Sequence, residues 1–214
     1  MRPIGQNRDR MAAPASEWTR PAPRWEVAAP QPEAEAALRA ALPVSPLIAR
    51  LLVARGWGDP SVAERVLNPR LEDLHPPQLL PDYAAAVRTI LNARDQGETI
   101  YVHGDYDVDG VTSAALLTRF LRRIGATVIP HVPHRMNEGY GVHEKAVQWA
   151  KESGAKLFLT CDCGVTAHEQ VKAAKAAGMK VVVTDHHELA PTLPEAEAVV
   201  NPHRADSQYP FAEI

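Results

Sequence analysis

The chain has 214 residues, 45% of them hydrophobic, and a formal net charge of −3. This length allows one large domain or a domain with an arm, and the hydrophobic share is enough for a core. The weak negative charge gives no global field for nucleic acid, although a local basic groove could still bind it. Two cysteines, Cys161 and Cys163, are too few for a disulfide framework, and no stretch resembles a signal peptide or membrane span. We therefore expect a soluble cytoplasmic protein.

The N-terminal part is predicted to be an arm followed by helices. Residues 1–42 are rich in Pro, Ala and Arg and have little hydrophobic periodicity, so we expect a disordered or loosely docked arm in which Trp18 and Trp25 could provide contacts. Residues 43–97 are predicted to be helical. Helix starts are expected at Pro46, at Asp59-Pro60 and near residue 82, and glycines at 56 and 97 end two of these helices.

From residue 98 to residue 214, short apolar runs alternate with helical stretches. The runs Ile100–Val102, Leu157–Leu159 and Val181–Val183 are apolar at every position, which is typical of strands covered on both faces. The pattern predicts an α/β domain with a parallel sheet sandwiched by helices. The predicted strands are 99–103, 127–132, 156–161, 180–184 and 198–201, and the predicted helices between them are 112–124, 143–153 and 166–177.

Acids and histidines follow three of these strands. In an open parallel sheet, ligands bind beyond the carboxyl ends of the strands, so the three segments should meet at one edge. Carboxylates and imidazoles together suit Mn²⁺ and related ions, and carboxylates also suit Mg²⁺. The pattern therefore predicts a divalent-metal site for phosphoester hydrolysis. Its candidate residues are His103, Asp105, Asp107, Asp162, His186 and His187.

Several neighbouring residues also have simpler interpretations. His103 taken alone would be a structural histidine, Asp109 a turn or helix-cap residue, and Asp185 a partner that orients a histidine. The cysteines beside Asp162 would be small buried residues. The arginines at 119, 122 and 123 would form a solvated helix face. The polar, glycine-rich loop 134–141 could be merely flexible, but its place after a strand favours substrate contact through Arg135, Gly139, Tyr140 and Gly141.

At these residues the chain resembles a known family. Thr184–Glu188 looks like the signature of the DHH phosphoesterase superfamily, and the wider pattern resembles its RecJ-type exonucleases over about residues 45–214. Five motifs in order support the resemblance: VHGDYDVDGVT (102–112), PHRMNEGYGVH (133–143), TCDCGV (160–165), VVVTDHHE (181–188) and AVVNPHR (198–204). One DHH triplet would be weak, whereas five linked motifs are specific.

The resemblance implies a 5′→3′ exonuclease that releases mononucleotides from single-stranded DNA in repair and recombination, with two Mn²⁺ or Mg²⁺ ions. By motif, His103, Asp105 and Asp162 would hold one ion, and Asp107, Asp162 and His186 the other. His187 would face the substrate, and the catalytic set would be His187, Asp162 and Asp107. A single-strand-binding protein and a RecQ-type helicase are the implied partners, and the nucleoid is the implied location.

Such enzymes carry one more aspartate in a later motif, and no good candidate for it occurs by Ile214. We therefore expect residues 98–214 to be a catalytic domain truncated at its C-terminal end, with weak or no activity alone. Two alternatives remain open. One is another DHH hydrolase acting on pyrophosphate, cyclic dinucleotides or short oligonucleotides, and the other is a non-catalytic, replication-associated scaffold. A dinucleotide-binding dehydrogenase is disfavoured because no G-x-G-x-x-G occurs.

Overall fold

The computed structural model describes residues 27–211. Within this range the chain forms two compact units, which divide between Asp73 and Leu74. The first unit holds part of the predicted arm and the first two helices of the predicted helical region. The second unit holds the predicted sheet.

The first unit consists of three short helices, α1 (Pro32–Ala41), α2 (Pro46–Ala54) and α3 (Pro60–Leu67), and a 3-10 turn at Leu71–Asp73. Each α-helix begins with a proline, which suits the first turn because its missing N–H would have no partner there. The side chains of Ser45 and Asp59 cap α2 and α3 by accepting backbone N–H groups. The buried side chains of the unit are Leu38, Ala49, Leu52, Val53 and Ala63.

Helix α1 lies within residues 1–42, which the sequence predicted as a disordered or loosely docked arm. In the described part of that segment, Pro32–Ala41 is helical and Leu38 is completely buried. Alanine has the highest helix propensity, but a helix with so few large apolar residues shows little periodicity in sequence. Trp18 and Trp25 lie outside the described residues. Among the described helices, no single one is long and apolar enough to cross a membrane, and only the bent pair α1 and α2 would pass on length and composition.

The second unit is a five-stranded parallel sheet flanked by helices, which confirms the predicted α/β class. The strands lie in the order β2-β1-β3-β4-β5 and all pairs are parallel. A 3-10 turn at Pro77–Leu79 precedes the first helix of the unit. The strands are β1 (Thr99–Gly104), β2 (Thr127–His131), β3 (Leu157–Cys161), β4 (Lys180–Thr184) and β5 (Ala198–Val200), and the helices are α4 (Tyr83–Asp95), α5 (Val108–Arg123), α6 (Glu144–Glu152) and α7 (His168–Ala176).

The sheet has a hydrophobic core on each face. Successive residues of a strand point to opposite faces, so Leu157 and Leu159 join one core while Phe158 joins the other. The first core includes side chains of α4 and α5, and the second includes side chains of α6 and α7. This arrangement explains the continuous apolar runs of β1, β3 and β4.

Two helices of this unit differ from the sequence prediction in their placement. Helix α4 falls in the predicted N-terminal helical region, 43–97, but it belongs to the second unit and contacts β1 and β5. Helix α5 begins at Val108 instead of near Thr112, because the side chain of Asp107 caps it by accepting the N–H groups of Asp109 and Gly110 at 3.1 and 3.0 Å. Of the acids after β1, Asp107 is therefore the N-cap of a helix and Asp109 lies in its first turn.

Candidate metal centre

Three acids end up at one edge of the sheet because three strands end in register. Gly104 of β1 pairs with Cys161 of β3, and Cys161 pairs with Thr184 of β4. The residues that follow these three positions are Asp105, Asp162 and Asp185. The structure thus brings together the three segments that the sequence placed at the carboxyl ends of the strands.

Asp162 holds its carboxylate in the site through an unusual backbone conformation. Its φ angle is +62°, a left-handed conformation that non-glycine residues rarely adopt and that costs free energy of order 1–3 kcal/mol. Its backbone N–H donates to the carbonyl of Thr184 at 3.0 Å. The side-chain atom Oδ1 lies 2.9 Å from Nε2 of His186, and Oδ2 is buried with no hydrogen-bond donor among the described residues. Asp162 is therefore an acceptor whose second oxygen still lacks a partner.

The carboxylates of Asp107 and Asp162 lie close enough for each to shift the pKa of the other. Burial, together with the negative charge of Asp107, raises the pKa of Asp162 to about 6, although His186 opposes this change. The N–H of Gly110 lowers the pKa of Asp107, and so does the contact with Asp162. Two acids so close together favour either a shared proton or a bound cation.

Asp105 adds a second buried oxygen without a partner. Its side chain is fully buried, Oδ1 accepts the N–H of Tyr106 at 2.7 Å, and Oδ2 has no donor among the described residues. Helix α5 approaches so closely here that a Cβ atom at Gly110 would overlap the backbone of Asp105. Buried carboxylate oxygens without hydrogen-bond partners are costly unless a cation compensates them.

The residues fit a divalent ion. Ligand atoms of Asp162, His186 and His187 all lie within 4.8 Å of one another. Oxygen and imidazole-nitrogen donors suit Mn²⁺, and carboxylates also suit Mg²⁺. Asp109 lines the same cavity as Asp162 and His186, so this residue, which the sequence assigned to a turn or cap, faces the site as well. The alternation of Asp109 with Asp105 and Asp107 in the sequence could have indicated that it belongs to the same site.

Asp185 organises the two histidines that follow it. Its Oδ1 accepts the N–H of His186 at 2.7 Å and contacts Nδ1 of His187 at 2.7 Å, while Oδ2 accepts the N–H of Val165 at 2.9 Å. Burial lowers the pKa of His187, but Asp185 more than offsets this, so the pKa is raised overall. The orienting role expected for Asp185 agrees with this geometry.

The loop after β2 reaches the site through Tyr140. The Tyr140 hydroxyl lies 2.8 Å from Nε2 of His187, so the ring nitrogen opposite Asp185 faces this loop. The rings of Tyr140 and Tyr106 are in T-shaped contact, and the guanidinium of Arg135 lies 5.2 Å from the centre of the Tyr106 ring. Of the four predicted substrate residues, Tyr140 therefore contacts the site directly. Arg135 is connected to Tyr140 by way of the Tyr106 ring. The sequence analysis did not single out Tyr106.

The two glycines of this group have backbone roles. Gly139 and Gly141 have φ angles of +82° and +80°, which favour glycine, and they flank Tyr140. The carbonyl of Gly141 accepts a hydrogen bond from Nε2 of His103 at 3.2 Å. Gly139 lies near the ring of His143. The glycines thus shape the turn that presents Tyr140.

The ring of His103, a predicted metal ligand, is buried and held by polar contacts at both nitrogens. Its ring is fully buried against Phe158, Nε2 contacts the carbonyl of Gly141, and Nδ1 lies 3.0 Å from Nδ1 of His131. Burial lowers the pKa of His103 to about 4. Both ring nitrogens already have partners. Among the described residues, the group whose ligand atoms converge is Asp162, His186 and His187, so His103, Asp105 and Asp107 all lie outside it. Strand alternation turns the His103 ring toward the α6 and α7 face, which a motif alone does not reveal.

Comparisons with known proteins agree with this arrangement. The model of the DHH family, N-terminal domain, matches residues 99–212. The single-stranded-DNA-specific exonuclease RecJ of Bacillus subtilis is 38% identical over 191 residues, which are 89% of this chain and 24% of that protein. The chain therefore spans about a quarter of this relative.

Two solved structures are also similar. RecJ from Thermus thermophilus in complex with Mn²⁺ has a TM-score of 0.63 and 32% identity, over 88% of this chain and 25% of that one. An exonuclease RecJ bound to manganese has a TM-score of 0.53 and 43% identity, over 57% of this chain and 31% of that one. The fold, the motifs and the metal content of these relatives point the same way as the geometry of the site.

Proposed function

The chain belongs to the DHH family, and on this premise we propose that it carries most of the divalent-metal centre of a 5′→3′ exonuclease specific for single-stranded DNA. The observation that carries the proposal is the meeting of Asp107, Asp162 and His186 at one sheet edge. There one buried carboxylate oxygen of Asp105 and one of Asp162 have no donor among the described residues. The proposed substrate class and the proposed manganese ions are taken from the RecJ relatives, which are named as single-stranded-DNA-specific exonucleases and as Mn²⁺ complexes.

The proposed ligands are Asp107, Asp162 and His186, with Asp105 adding its buried oxygen. When bound, two Mn²⁺ or Mg²⁺ ions would polarise the phosphodiester and generate the water-derived nucleophile. Asp162 is central because it contacts both Asp107 and His186, which makes it the best candidate to serve both ions. His103, which the family resemblance suggested as a ligand, is better assigned to holding the loop because both of its ring nitrogens have partners.

His187 and the loop residues would handle the substrate. Asp185 fixes the His187 ring through Nδ1 and raises its pKa overall, so Nε2 can carry a proton toward a phosphate oxygen or toward the leaving 3′ oxygen. Tyr140 contacts that same nitrogen and would exchange this contact for one with the substrate. Arg135 and the ring of Tyr106 offer a charge for a phosphate and a face for a base.

A strand-degradation assay tests the proposal. Single-stranded DNA labelled at either end would be incubated with Mn²⁺, and the products would be resolved by length. Mononucleotides released from the 5′ end, absent with Asp162→Asn, are the expected result. Because the chain spans about a quarter of its RecJ relatives, we expect weak activity from residues 1–214 and full activity only in a protein of the relatives' length.

Cleavage assays on small substrates and a metal-binding measurement separate the remaining alternatives. Cleavage of pyrophosphate, cyclic dinucleotides or dinucleotides, with long strands left intact, would favour another DHH phosphodiesterase. Absence of Mn²⁺ binding by calorimetry would favour a non-catalytic scaffold. The acids of the site argue against the scaffold, since a protein with no metal to bind gains nothing from burying Asp105 and Asp162 with unpartnered oxygens.

We further propose that the protein acts in DNA repair and recombination in the cytoplasm, at the nucleoid. There it would act together with a single-strand-binding protein and a RecQ-type helicase. These proposals rest on the likeness to RecJ exonucleases. Stimulation of strand degradation by either purified partner would support them, and unchanged rates with both would contradict them.

A further inference from the structure

A chain of polar contacts joins His103 of β1, His131 of β2 and the loop that follows β2. From the loop inward it runs from the Glu138 carboxylate to Nε2 of His131 (3.3 Å), then from Nδ1 of His131 to Nδ1 of His103 (3.0 Å), and finally from Nε2 of His103 to the Gly141 carbonyl (3.2 Å). We call Glu138, His131 and His103 the histidine clamp. Both ends of the clamp lie on the loop 133–143, so the contacts form a closed circuit.

The proton on Nε2 of His103 follows from the end group. A carbonyl only accepts, so Nε2 of His103 must carry a proton and donate it to Gly141. Nδ1 of His103 and Nδ1 of His131 lie 3.0 Å apart, so one of these two atoms accepts the proton that the other donates. A His131 ring that donates through Nδ1 to His103 also donates to the Glu138 carboxylate only when its Nε2 is protonated too, because an ionised carboxylate only accepts. In either case the contacts fix the orientation of each ring.

Glu138 ties the other end of the loop. Its Oε1 accepts the backbone N–H of His134 at 2.9 Å, and its Oε2 faces His131. Burial lowers the pKa of His131, and the negative charge of Glu138 offsets part of that effect. One side chain thus holds the start of the loop and also steadies the ring that orients His103.

We propose that the histidine clamp fixes the loop 133–143 so that Tyr140 meets His187, and that His103 and Glu138 are positioning residues rather than metal ligands. Gly141, which the clamp holds, is the neighbour of Tyr140, whose hydroxyl lies 2.8 Å from Nε2 of His187. The proposal rests on the proposed function only in regarding this loop as the one that meets the substrate. The clamp itself can be tested without any nuclease activity.

The first test measures loop opening by limited proteolysis. Arg135 and Met136 are exposed, so trypsin can cut the peptide bond between them when the loop opens locally. In the full 214-residue chain, Glu138→Ala should make this cut at least about 5-fold faster, as followed by mass spectrometry. The reason is that the loop can then open without breaking the contacts of Glu138. Glu138→Gln, which can still accept the His134 N–H, should give an intermediate rate. Glu144→Gln, an exposed acid outside the clamp, is the matched control and should leave the rate unchanged.

The second test separates positioning from metal binding. His103→Phe keeps an aromatic ring against Phe158 but removes both nitrogens. We expect its Mn²⁺ affinity by calorimetry to stay within about 3-fold of the parent, whereas Asp162→Asn should lose more than about 100-fold, since even partners outside the coordination sphere cost roughly 10–100-fold. A loss of more than about 100-fold in folded His103→Phe, as large as that expected for Asp162→Asn, would make His103 a ligand and overturn the assignment.

The outcomes of the two tests are distinguishable. An unchanged rate of cutting at Arg135 in Glu138→Ala would overturn the clamp, and this result remains available even if His103→Phe does not fold. If the parent chain binds no Mn²⁺, the proposed metal site fails, while faster cutting in the Glu138 variants would still support the clamp. A raised KM for strand degradation with little change in kcat in Glu138→Gln would show that the clamp also positions the loop for substrate binding.

Discussion

Oδ1 of Asp162 lies 2.9 Å from Nε2 of His186, across the ends of two neighbouring parallel strands. Asp162 follows β3 and His186 follows β4 by two residues, and the left-handed backbone at Asp162 accompanies this approach. The same carboxylate also contacts Asp107 at the start of α5. Three segments of the chain therefore meet at one acid, which makes its replacement the most informative change.

Asp162→Ala should abolish nuclease activity in an enzyme of the relatives' full length, because one side chain would serve both ions. The measurement is the initial rate of mononucleotide release from single-stranded DNA. Asp95→Asn, at the exposed end of α4, is the control and should keep the parent rate. A rate for Asp162→Ala above about a tenth of the parent value, roughly 1.4 kcal/mol in barrier height, would remove the bridging role.

Metal binding should depend on pH through Asp162. The pKa of this acid is about 6 in the metal-free fold against an ordinary value of 3.8, so the folded state holds the proton more tightly than the unfolded chain does. Metal-free stability should therefore fall as pH rises from about 4 to about 6, and Mn²⁺ should restore it once Asp162 has lost its proton. The rise in Tm on adding Mn²⁺ should accordingly grow between about pH 5 and about pH 7 in thermal melts. A constant rise across this range would contradict the assignment.

Asp185→Asn should release His187 without removing a proposed ligand. The variant loses the negative charge that holds Nδ1 and that raises the pKa of His187, so this pKa should fall. Buried hydrogen bonds to a charged group contribute about 1.5–3 kcal/mol each, and we expect a loss of unfolding free energy of that order. NMR titration of the histidine side chains and urea unfolding measure the two effects. Glu188→Gln, the next acid along the chain, serves as the control, and an unchanged His187 pKa in Asp185→Asn would contradict the prediction.

Gly110→Ala should destabilise the second unit. The added methyl group would overlap the backbone of Asp105, and backbone cannot move aside as a flexible side chain can. Overpacking of this kind costs typically about 1–3 kcal/mol, which urea unfolding would detect. Gly58→Ala in the first unit is the matched control, because the nearest atom to its Cβ position is 3.6 Å away. Equal stability of the two variants would show that α5 can shift away from β1.

Sequence reasoning predicted the sheet and the edge at which the acids meet. Runs such as Leu157–Leu159 are apolar on both faces, which is typical of covered parallel strands, and their alternation with helical stretches indicated the α/β class. Asp105, Asp162 and Asp185 each follow a strand, and parallel strands end at the same edge. The sequence analysis did not predict helix α1, because its alanines give little hydrophobic periodicity. It also placed the start of α5 too late, because Asp107 could equally belong to a loop.

The sequence by itself therefore determined the class of fold, the edge that carries the chemistry and the kind of ion that suits it, since strand periodicity and ligand type are local properties of the chain. The tertiary structure decided which side of the sheet each histidine faces. His103 and His186 look equivalent as motif residues, yet one is buried against Phe158 with both ring nitrogens engaged while the other meets Asp162. That difference depends on long-range contacts with His131 and Gly141, 28 and 38 residues away, which no local pattern encodes.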